Sequence, residues 1–543
     1  MKTFLCAILA AGCILAQGLD PAKLKQLPTD TWPSYNGDYS GRRFSPLKQV
    51  NAANVGTMTL SWVYRINMGP NAPGGVSMKA TPLEVNGVLY FTVPDHAWAV
   101  DARTGRQLWH YEWKSKGGIH IGSRGFGMYR DWLYFETPDN YLICLDSKTG
   151  RERWHVEIGD VRLEYFSTPA PVVIGNHVIV GTGGDSLDVP GYLEARDPET
   201  GKTQWHWNST PRPGEPNANT WPNKDAMEHG GGMTWMPGTY DPELNLYYLG
   251  TGNPNPVFAG QGRKGDNLYT CSIVALNPDT GKMAWYFQAS PHDTHDWDAV
   301  QTPVLIDGII DGKPRKLVAQ ASRNGYFFVL DRVTGKNVLS KPYVPLNWSK
   351  GEDKRGQPIP NPDKEPKLDG ILSMPSASGG TNWAPPSFSP QTGLFYVSGT
   401  DNYSLLFATD DQEKPEGFAG KEINLWSKAS LKAIDYKTGT IKWAHEYPGL
   451  GGGNFGVLTT AGNVLFTGDP MGNFIGFNAT SGSALWHSKL TGPVANGPMS
   501  YELDGKQYVV VGAGDSLYAF ALNEISAARI PGEARPRPTS PAR

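Results

Sequence analysis

Residues 101–109 read DARTGRQLW, a pattern of Asp, two residues, Thr-Gly, three residues and Trp that recurs along the chain. Full copies, with Asp or Asn in first place, begin at Asp146, Asp197, Asn277 and Asp435. The degenerate copies are Asp331-Thr334-Gly335 with Val338 and Asn478-Ser481-Gly482 with Trp486, and a truncated copy near the start contains Trp62. We call each copy a tag, and the sequence contains eight of them.

Each tag predicts a turn between two β-strands. An apolar run leads into Asp-x-x-Thr-Gly, in which Asp and Gly favour a tight reversal, and the run that follows carries the Trp. Another alternating pair precedes each tag, as at residues 87–91, which gives about four strands per unit and a period of about 45 residues, typical of propeller blades. Because a four-stranded sheet cannot bury both faces alone, such units stack radially. The tags therefore predict an all-β fold, an eight-bladed β-propeller of four-stranded antiparallel blades.

A tandem array of small β-sandwiches is the alternative architecture. The regularity of the tags and the lack of Pro-rich linkers between them favour the propeller. Longer gaps between tags at 206–240, 253–270 and 341–380 indicate insertions, and we expect the last of these to be a loop over one face. The 64 Gly and 44 Pro residues also favour short strands joined by turns over long helices.

The two ends of the chain predict segments outside the propeller. Lys2, the apolar run 4–15 and small residues around Ala16 predict a signal peptide at 1–16, and therefore a periplasmic or secreted protein. Residues 10–13 resemble a lipoprotein box without its usual Leu, so a lipid anchor is the less favoured alternative. The apolar run is too short to cross a membrane, and we expect no transmembrane segment in the mature chain. The propeller is expected at 17–524 and a disordered tail at 525–543.

The net charge and the cysteines bear on possible partners. A net charge of −3 provides no basic surface, so we expect no nucleic-acid partner. Cys144 and Cys271 each lie in an apolar run typical of a strand, which favours two buried thiols over a disulfide. The sequence contains no Cys-x-x-Cys-His motif, so no c-type haem is expected.

The densest group of polar residues is PHDTHDWD at residues 291–298. Asp296 and Asp298, two apart in an extended segment, would project to the same side and suit a hard, oxygen-binding cation. A zinc site formed by His292 and His295 is an alternative, although no Cys or third His lies nearby to complete it. A solvated turn without a ligand is the other alternative.

Three further stretches contain residues that could bind a ligand. Asn253, in GTGNPNP at 250–256, is either part of a turn or a carbonyl ligand for the same cation. Trp235, in GMTW at 232–235, is either a core residue or a flat surface beneath a planar ring. Arg323 follows an apolar strand and is either a surface charge or a donor to a ligand oxygen.

Together these stretches resemble the quinoprotein dehydrogenases that use pyrroloquinoline quinone (PQQ), a family that includes methanol dehydrogenase large subunits and membrane glucose dehydrogenases. The resemblance covers nearly the whole mature chain. It rests on the tags, on WPSYNGD at 32–38 with RFSPL at 43–47, and on the block at 292–298. It implies an enzyme that dehydrogenates an alcohol or a sugar and passes electrons to a separate acceptor such as a soluble cytochrome c.

The resemblance also implies roles for individual residues. Asp296 corresponds to the catalytic base, and Arg323 to the residue that binds the quinone oxygen at the reacting carbon. Trp235 corresponds to the aromatic residue that stacks on the quinone. Further cofactor contacts correspond to Arg124, Thr168 and Asn382. Metal ligands correspond to Asn253, Asp296 and Asp298, of which Asp298 resembles the extra Asp of lanthanide-dependent enzymes, so the cation is expected to be Ca²⁺ or a lanthanide.

The sequence departs from the family pattern at several positions. Ser186 stands where methanol dehydrogenases have a metal-binding Glu, and we expect Asp185 or Asp188 to take over its charge. The other departures are Lys79 for a cofactor-binding Glu, Gly118 and Ile119 for an adjacent cysteine pair, and Met233 for a Thr. These changes leave one alternative open, a non-catalytic propeller of the same family that acts as a binding or assembly scaffold.

Overall fold

The computed structural model describes residues 18–68, 77–409 and 416–523. The predicted signal peptide at 1–16 and the predicted tail at 525–543 lie outside these residues. In the described segments, no helix has the length and apolar character needed to cross a membrane.

The strands carry the fold. The first are β1 (Phe44–Ser45), β2 (Met58–Arg65), β3 (Leu83–Val85), β4 (Val88–Val93), β5 (His96–Asp101), β6 (Gln107–Glu112), β7 (Gly127–Tyr129), β8 (Trp132–Glu136), β9 (Tyr141–Asp146) and β10 (Glu152–Glu157). Next come β11 (Val172–Ile174), β12 (His177–Thr182), β13 (Tyr192–Arg196), β14 (Thr203–Asn208), β15 (Thr239–Asp241), β16 (Leu246–Gly250), β17 (Ser272–Leu276), β18 (Met283–Gln288), β19 (Val304–Ile310), β20 (Lys313–Ala321), β21 (Tyr326–Asp331) and β22 (Asn337–Pro342).

The remaining strands are β23 (Ser349–Glu352), β24 (Pro358–Pro360), β25 (Ile371–Ser373), β26 (Ser387–Ser389), β27 (Leu394–Ala408), β28 (Gly420–Asp435), β29 (Ile441–Glu446), β30 (Leu458–Thr460), β31 (Val464–Gly468), β32 (Asn473–Asn478), β33 (Ala484–Lys489), β34 (Met499–Leu503), β35 (Lys506–Ala513) and β36 (Ser516–Leu522). Helical segments among the described residues are α1 (Lys224–Glu228) and 3-10 turns at Pro21–Lys25, Val55–Thr57, Val161–Leu163, Ala218–Thr220, Gly260–Arg263 and Pro362–Lys364.

These strands form eight sheets of four or five strands and a small β23–β24 hairpin within the described residues. Five sheets use four consecutive strands each, from β3–β6 to β19–β22. The sixth joins β25 to β29, and the seventh combines β30–β33 with β1, which pairs in parallel to β30. The all-β class and the four-stranded antiparallel unit predicted from the tags are confirmed.

The eighth sheet joins the two ends of the described chain. Strand β2 pairs antiparallel with β36, so that the order is β2-β36-β35-β34. Strand β2, which contains the truncated tag copy with Trp62, is therefore the outer strand of a sheet whose other three strands come from the end of the described chain. This pairing links the start of the described chain to its end within one sheet.

The tags join the third strand of a sheet to the fourth and hold neighbouring sheets together. The Trp109 indole N–H donates to the Ser147 carbonyl in the next tag at 2.9 Å. Gly150 of that tag has φ +67°, and a Cβ added to it would lie 2.6 Å from the Trp109 ring. The same indole-to-carbonyl bond joins Trp62 to Ala102, Trp205 to Pro278, Trp285 to Arg332, Trp443 to Ala479 and Trp486 to Met58. In six tags, the Gly thus lies directly against the Trp ring of the preceding unit.

One degenerate tag was assigned wrongly. Leu339, rather than Val338, stands at the Trp position, eight residues after Asp331. A Cβ on Gly439 of the following tag would lie 3.1 Å from a Leu339 methyl carbon. Without the large Trp, the sequence offers no marker for the register of this strand.

Strand order also determines where the loops gather. In an antiparallel sheet the start of the first strand and the end of the second lie at the same end, and the turn between the third and fourth strands lies at the other. The tags are therefore at one end of the molecule, which we call the tag end, and the loops that enter each sheet are at the opposite end. The free thiols of Cys144 and Cys271 are both buried, as predicted.

Candidate active site

The predicted site residues occupy two recurring positions at the end opposite the tags. Most lie in the segment that leads into the first strand of a sheet, as do Arg124, Thr168, Trp235, Asp296, Asp298 and Asn382. The others directly follow a second strand, as do Asp185 after β12, Asn253 after β16 and Arg323 after β20. Residues distant in sequence are therefore brought to one end of the fold.

Eight of these nine residues line a single cavity of about 210 Å³. The lining consists of Lys79, Ile121, Arg124, Phe166, Thr168, Asp185, Met233, Trp235, Asp296, Asp298, Arg323, Asn382 and Trp383. Asn253 is not part of the lining but lies directly behind it, because its backbone N–H donates to Asp298 Oδ1 at 2.6 Å.

At one side of the cavity Arg323 bridges two carboxylates. Its Nη2 lies 2.7 Å from Asp296 Oδ2, and its Nη1 lies 2.8 Å from Asp298 Oδ2. The Arg323 Nε donates to the Ala377 carbonyl at 2.8 Å, and the Trp235 indole N–H donates to Asp298 Oδ2 at 3.1 Å. Arg323 is 8% exposed and Asp298 is 2% exposed, so these two side chains are largely shielded from bulk solvent.

The Asp296 segment is a tight turn and not the extended run expected from the sequence. Asp293 Oδ2 accepts the backbone N–H groups of His295, Asp296 and Trp297 at 3.3, 2.9 and 3.1 Å. Asp296 itself has φ +70°. Asp296 and Asp298 nevertheless both contact the Arg323 guanidinium, in agreement with the expectation that the two side chains project to the same side.

The 341–380 insertion covers this turn, as predicted for a loop over one face. The His295 and Trp297 rings stack with centroids 4.2 Å apart and planes 8° apart. His295 Nε2 hydrogen-bonds with the Lys364 carbonyl at 2.9 Å, and the Trp297 indole N–H donates to the Ser376 carbonyl at 2.9 Å. Burial lowers the pKa of His295 to about 3, so the ring is neutral and donates. His295 is therefore a structural residue, which removes support from the zinc alternative.

The carboxylates of the cavity repel one another. Burial raises the pKa of Asp185 to about 6, with a further contribution from the Asp298 charge and opposition from Arg323. Burial also raises the pKa of Asp296 and of Asp298, against the effect of Arg323. One guanidinium thus faces three acids, of which Asp298 is buried and Asp185 and Asp296 are partly exposed, and this side of the cavity favours an additional cation.

The structure places Asp185, and not Asp188, in the cavity. Asp188 instead accepts the backbone N–H of Gly417 through Oδ2 at 2.8 Å. The Asp185 carbonyl accepts from the Asn255 side chain at 2.7 Å, which ties it to the segment containing Asn253. Of the two candidates, Asp185 therefore lines the cavity, whereas Asp188 is bonded to Gly417.

The other side of the cavity is cationic and aromatic. The Arg124 guanidinium carbon lies 4.8 Å from the Trp235 ring centroid and 5.4 Å from that of Trp383. Arg124 is 2% exposed, and its Nε and Nη1 have no hydrogen-bond partner. Burial lowers its pKa to about 10, so it remains charged at neutral pH. A buried, charged donor without an acceptor costs free energy, which a bound anion would recover.

These features match a flat, anionic cofactor beside a cation. Two indoles and an unpaired guanidinium suit a planar carboxylated ring such as PQQ, and the carboxylates opposite suit a hard metal ion. In the segments the structure covers, no three His, Cys, Asp or Glu side chains form a ready-made metal-ligand group. A cation would therefore use carboxylate oxygens that Arg323 does not hold.

The sequence reasoning missed Trp383. Its ring faces Arg124, and it directly follows Asn382 in the segment that enters β26. The Gly-rich stretch GGTNW at 379–383 resembles the setting of Trp235 and was an available signal. Gln301, whose side-chain oxygen accepts the Arg323 backbone N–H at 3.1 Å, was also missed, and nothing in its local sequence marks it.

Comparison with known proteins gives consistent results. The family described as "PQQ: Glucose/ethanol/alcohol dehydrogenase, beta-propeller domain" matches residues 32–369 and 425–509. A quinohemoprotein alcohol dehydrogenase of Comamonas testosteroni is 37% identical over 530 residues, which cover 90% of this chain and 73% of that protein. The quinoprotein alcohol dehydrogenase PedH of Pseudomonas putida is 35% identical over 532 residues, covering 91% of this chain and 87% of that protein.

Solved structures agree with the sequence matches. A europium-containing methanol dehydrogenase superposes with a TM-score of 0.81 at 28% identity, covering 92% of this chain and 99% of that one. The fold, the matched family and the two relatives lead to one conclusion. The chain belongs to the PQQ-dependent alcohol dehydrogenase family of β-propeller proteins.

Proposed function

We propose that this protein is a PQQ-dependent dehydrogenase that oxidises an alcohol, with Ca²⁺ or a lanthanide in the same cavity. The observation that carries the proposal is the unpaired Arg124 guanidinium between two indoles, facing the Asp296–Arg323–Asp298 network across one cavity. Alcohol is favoured over sugar because the relatives named above are alcohol dehydrogenases.

The residues around Arg124 would hold the cofactor. Arg124 would bind carboxylate oxygens, and Trp235 and Trp383 would contact the ring faces. Thr168 Oγ1 donates to the Trp235 carbonyl at 3.3 Å, and its own carbonyl accepts the Arg124 backbone N–H at 3.1 Å, so these three residues are positioned together. When bound, PQQ supplies a quinone that takes up two electrons with a hydride from the substrate carbon.

The acidic side of the cavity would handle the proton and the cation. Asp296 accepts the hydroxyl proton of the alcohol as the hydride leaves its carbon. Arg323 holds the Asp296 carboxylate in place at 2.7 Å and provides positive charge where negative charge develops. Asp298, Asp185 and the side-chain carbonyl of Asn253 would hold the cation, which would supply Lewis-acid chemistry.

A second cavity suggests the route of the alcohol. It has a volume of about 300 Å³ and shares Asp296 and Arg323 with the first. Its apolar lining includes Phe258 and Phe418, whose rings lie 5.9 Å apart, and Ala377. An alcohol entering here would bring its hydroxyl to Asp296 with its carbon chain between apolar walls.

The proposal extends to the location of the protein and to its electron acceptor. The export signal predicted at 1–16 favours the periplasm or secretion, where an alcohol from outside the cell is available. The electrons would then pass to an acceptor such as a soluble cytochrome c.

The test is a turnover assay with reconstituted protein. Purified apo-protein is mixed with PQQ and either Ca²⁺ or La³⁺, and alcohols and sugars are assayed with an artificial electron acceptor. We expect turnover on alcohols, and its loss in Asp296→Asn with PQQ binding retained. Binding of PQQ without turnover on any substrate would favour the scaffold alternative, and failure to bind PQQ would refute the proposal.

A further inference from the structure

The cavity contains a third cationic side chain, Lys79, that the proposed mechanism does not use. Lys79 lies in the segment that enters β3, the same position in its unit as Arg124 has before β7. It lines the cavity together with Arg124 and Trp383. Its ammonium nitrogen lies 6.0 Å from the Trp383 ring centroid, and the Arg124 guanidinium carbon lies 5.4 Å from the same ring. Two positive side chains therefore share one indole.

The described contacts of these two cations include no carboxylate. Lys79 Nζ donates to the Ile121 carbonyl at 2.6 Å, and an ammonium group has three N–H donors. Arg124 has two buried nitrogen atoms without any partner. The acids of the cavity are on its other side, where Asp296 and Asp298 already hold Arg323.

Placing two like charges together is unfavourable where one of them, Arg124, is buried and the other, Lys79, is partly buried. Burial lowers the pKa of Lys79, and the nearby Arg124 charge lowers it further. A bound anion between the two side chains would remove both the repulsion and the unmet donors of Arg124. The cavity is thus divided into a cationic side that suits an anion and an acidic side that suits a metal ion.

We infer that Lys79 and Arg124 together bind a carboxylate group of the cofactor, with Lys79 as a specific cofactor-binding residue of this chain. The inference rests on the proposed function, because it assigns the anion to PQQ. The Lys79 ammonium group is also held in position by its hydrogen bond to the carbonyl of Ile121, a residue that itself lines the cavity.

The experiment compares PQQ with its methyl ester, in which the carboxylates are neutral. Dissociation constants are measured by quenching of indole fluorescence in the wild type, Lys79→Met and Lys79→Arg. For PQQ we expect Lys79→Met to bind about tenfold more weakly or worse, the effect of losing one charge-assisted hydrogen bond, and Lys79→Arg to stay within a few-fold of wild type. For the ester, all three proteins should bind alike.

A matched lysine serves as the control. Lys437 also lies over an aromatic ring, 5.6 Å from the centroid of Tyr436, but belongs to a tag at the opposite end. Lys437→Met should bind PQQ as the wild type does. Equal PQQ affinity in wild type and Lys79→Met, or an equal loss for PQQ and the ester, would overturn the inference while leaving the proposed function standing. Failure of the wild type to bind PQQ would refute both.

Discussion

Replacing Arg323 by Met should destabilise the protein because it leaves two buried carboxylates without their counter-charge. Arg323 contacts Asp296 at 2.7 Å and Asp298 at 2.8 Å and is 8% exposed. Removing one partner of a buried ion pair costs about 3–5 kcal/mol. The hydrogen bond to the Ala377 carbonyl adds about 1 kcal/mol. We expect the free energy of unfolding to fall by about 4 kcal/mol or somewhat more.

The assay is urea unfolding followed by indole fluorescence, with Arg332→Met as the matched control. Arg332 is also buried and pairs with Asp241 at 2.6 Å, but it lies at the tag end. Both variants should lose similar stability, whereas only Arg323→Met should also lose PQQ-dependent turnover. An unchanged urea midpoint for Arg323→Met would refute the reasoning, since the ion pairs would then not hold the site together.

Three further predictions test other parts of the structure. Burial raises the pKa of Glu84 from 4.5 to about 8, so the folded protein keeps a proton that the unfolded chain releases, and stability is lost as pH rises through this window. The urea midpoint should therefore fall less between pH 4.5 and pH 8 in Glu84→Gln than in the wild type, and an equal dependence of the midpoint on pH in the two proteins would contradict this. Gly281→Ala places a Cβ 2.6 Å from the Trp205 ring and should lower the free energy of unfolding by about 1–3 kcal/mol in the same assay. An unchanged free energy of unfolding would argue against close packing of the Trp on the Gly of the next tag. Asp298→Ala should abolish lanthanide-supported turnover, and Asp296→Ala turnover with any cation; undiminished lanthanide turnover in Asp298→Ala would show that this Asp is structural.

The fold could be predicted from the sequence because the tag records a contact between units. Its Gly adopts positive φ and its Trp packs on the Gly of the next unit, so both residues recur with the blade. Where the Trp is missing, as in the copy that contains Leu339, the register was assigned one residue off. A repeat is thus readable only where the residues that make the contact are distinctive.

The site was less accessible to sequence reasoning. Asp296 and Asp298 were expected in an extended run, and the turn that Asp293 caps could not be recognised, because an Asp that accepts three backbone N–H groups looks like any other Asp in an acidic block. Trp383 and Lys79 gain their importance from loops that meet only after the sheets are arranged side by side. Their shared position before a first strand becomes visible once the strand order is known.

The most direct test of the account is a single-turnover spectrum. Protein loaded with PQQ and either Ca²⁺ or La³⁺ is mixed without oxygen and without an electron acceptor with an alcohol such as ethanol or 1-butanol. The account predicts that the absorbance of the bound quinone changes to that of its two-electron reduced form, with one aldehyde formed per cofactor. A wild-type protein that binds PQQ stoichiometrically but shows no spectral change with any alcohol and either cation would contradict it.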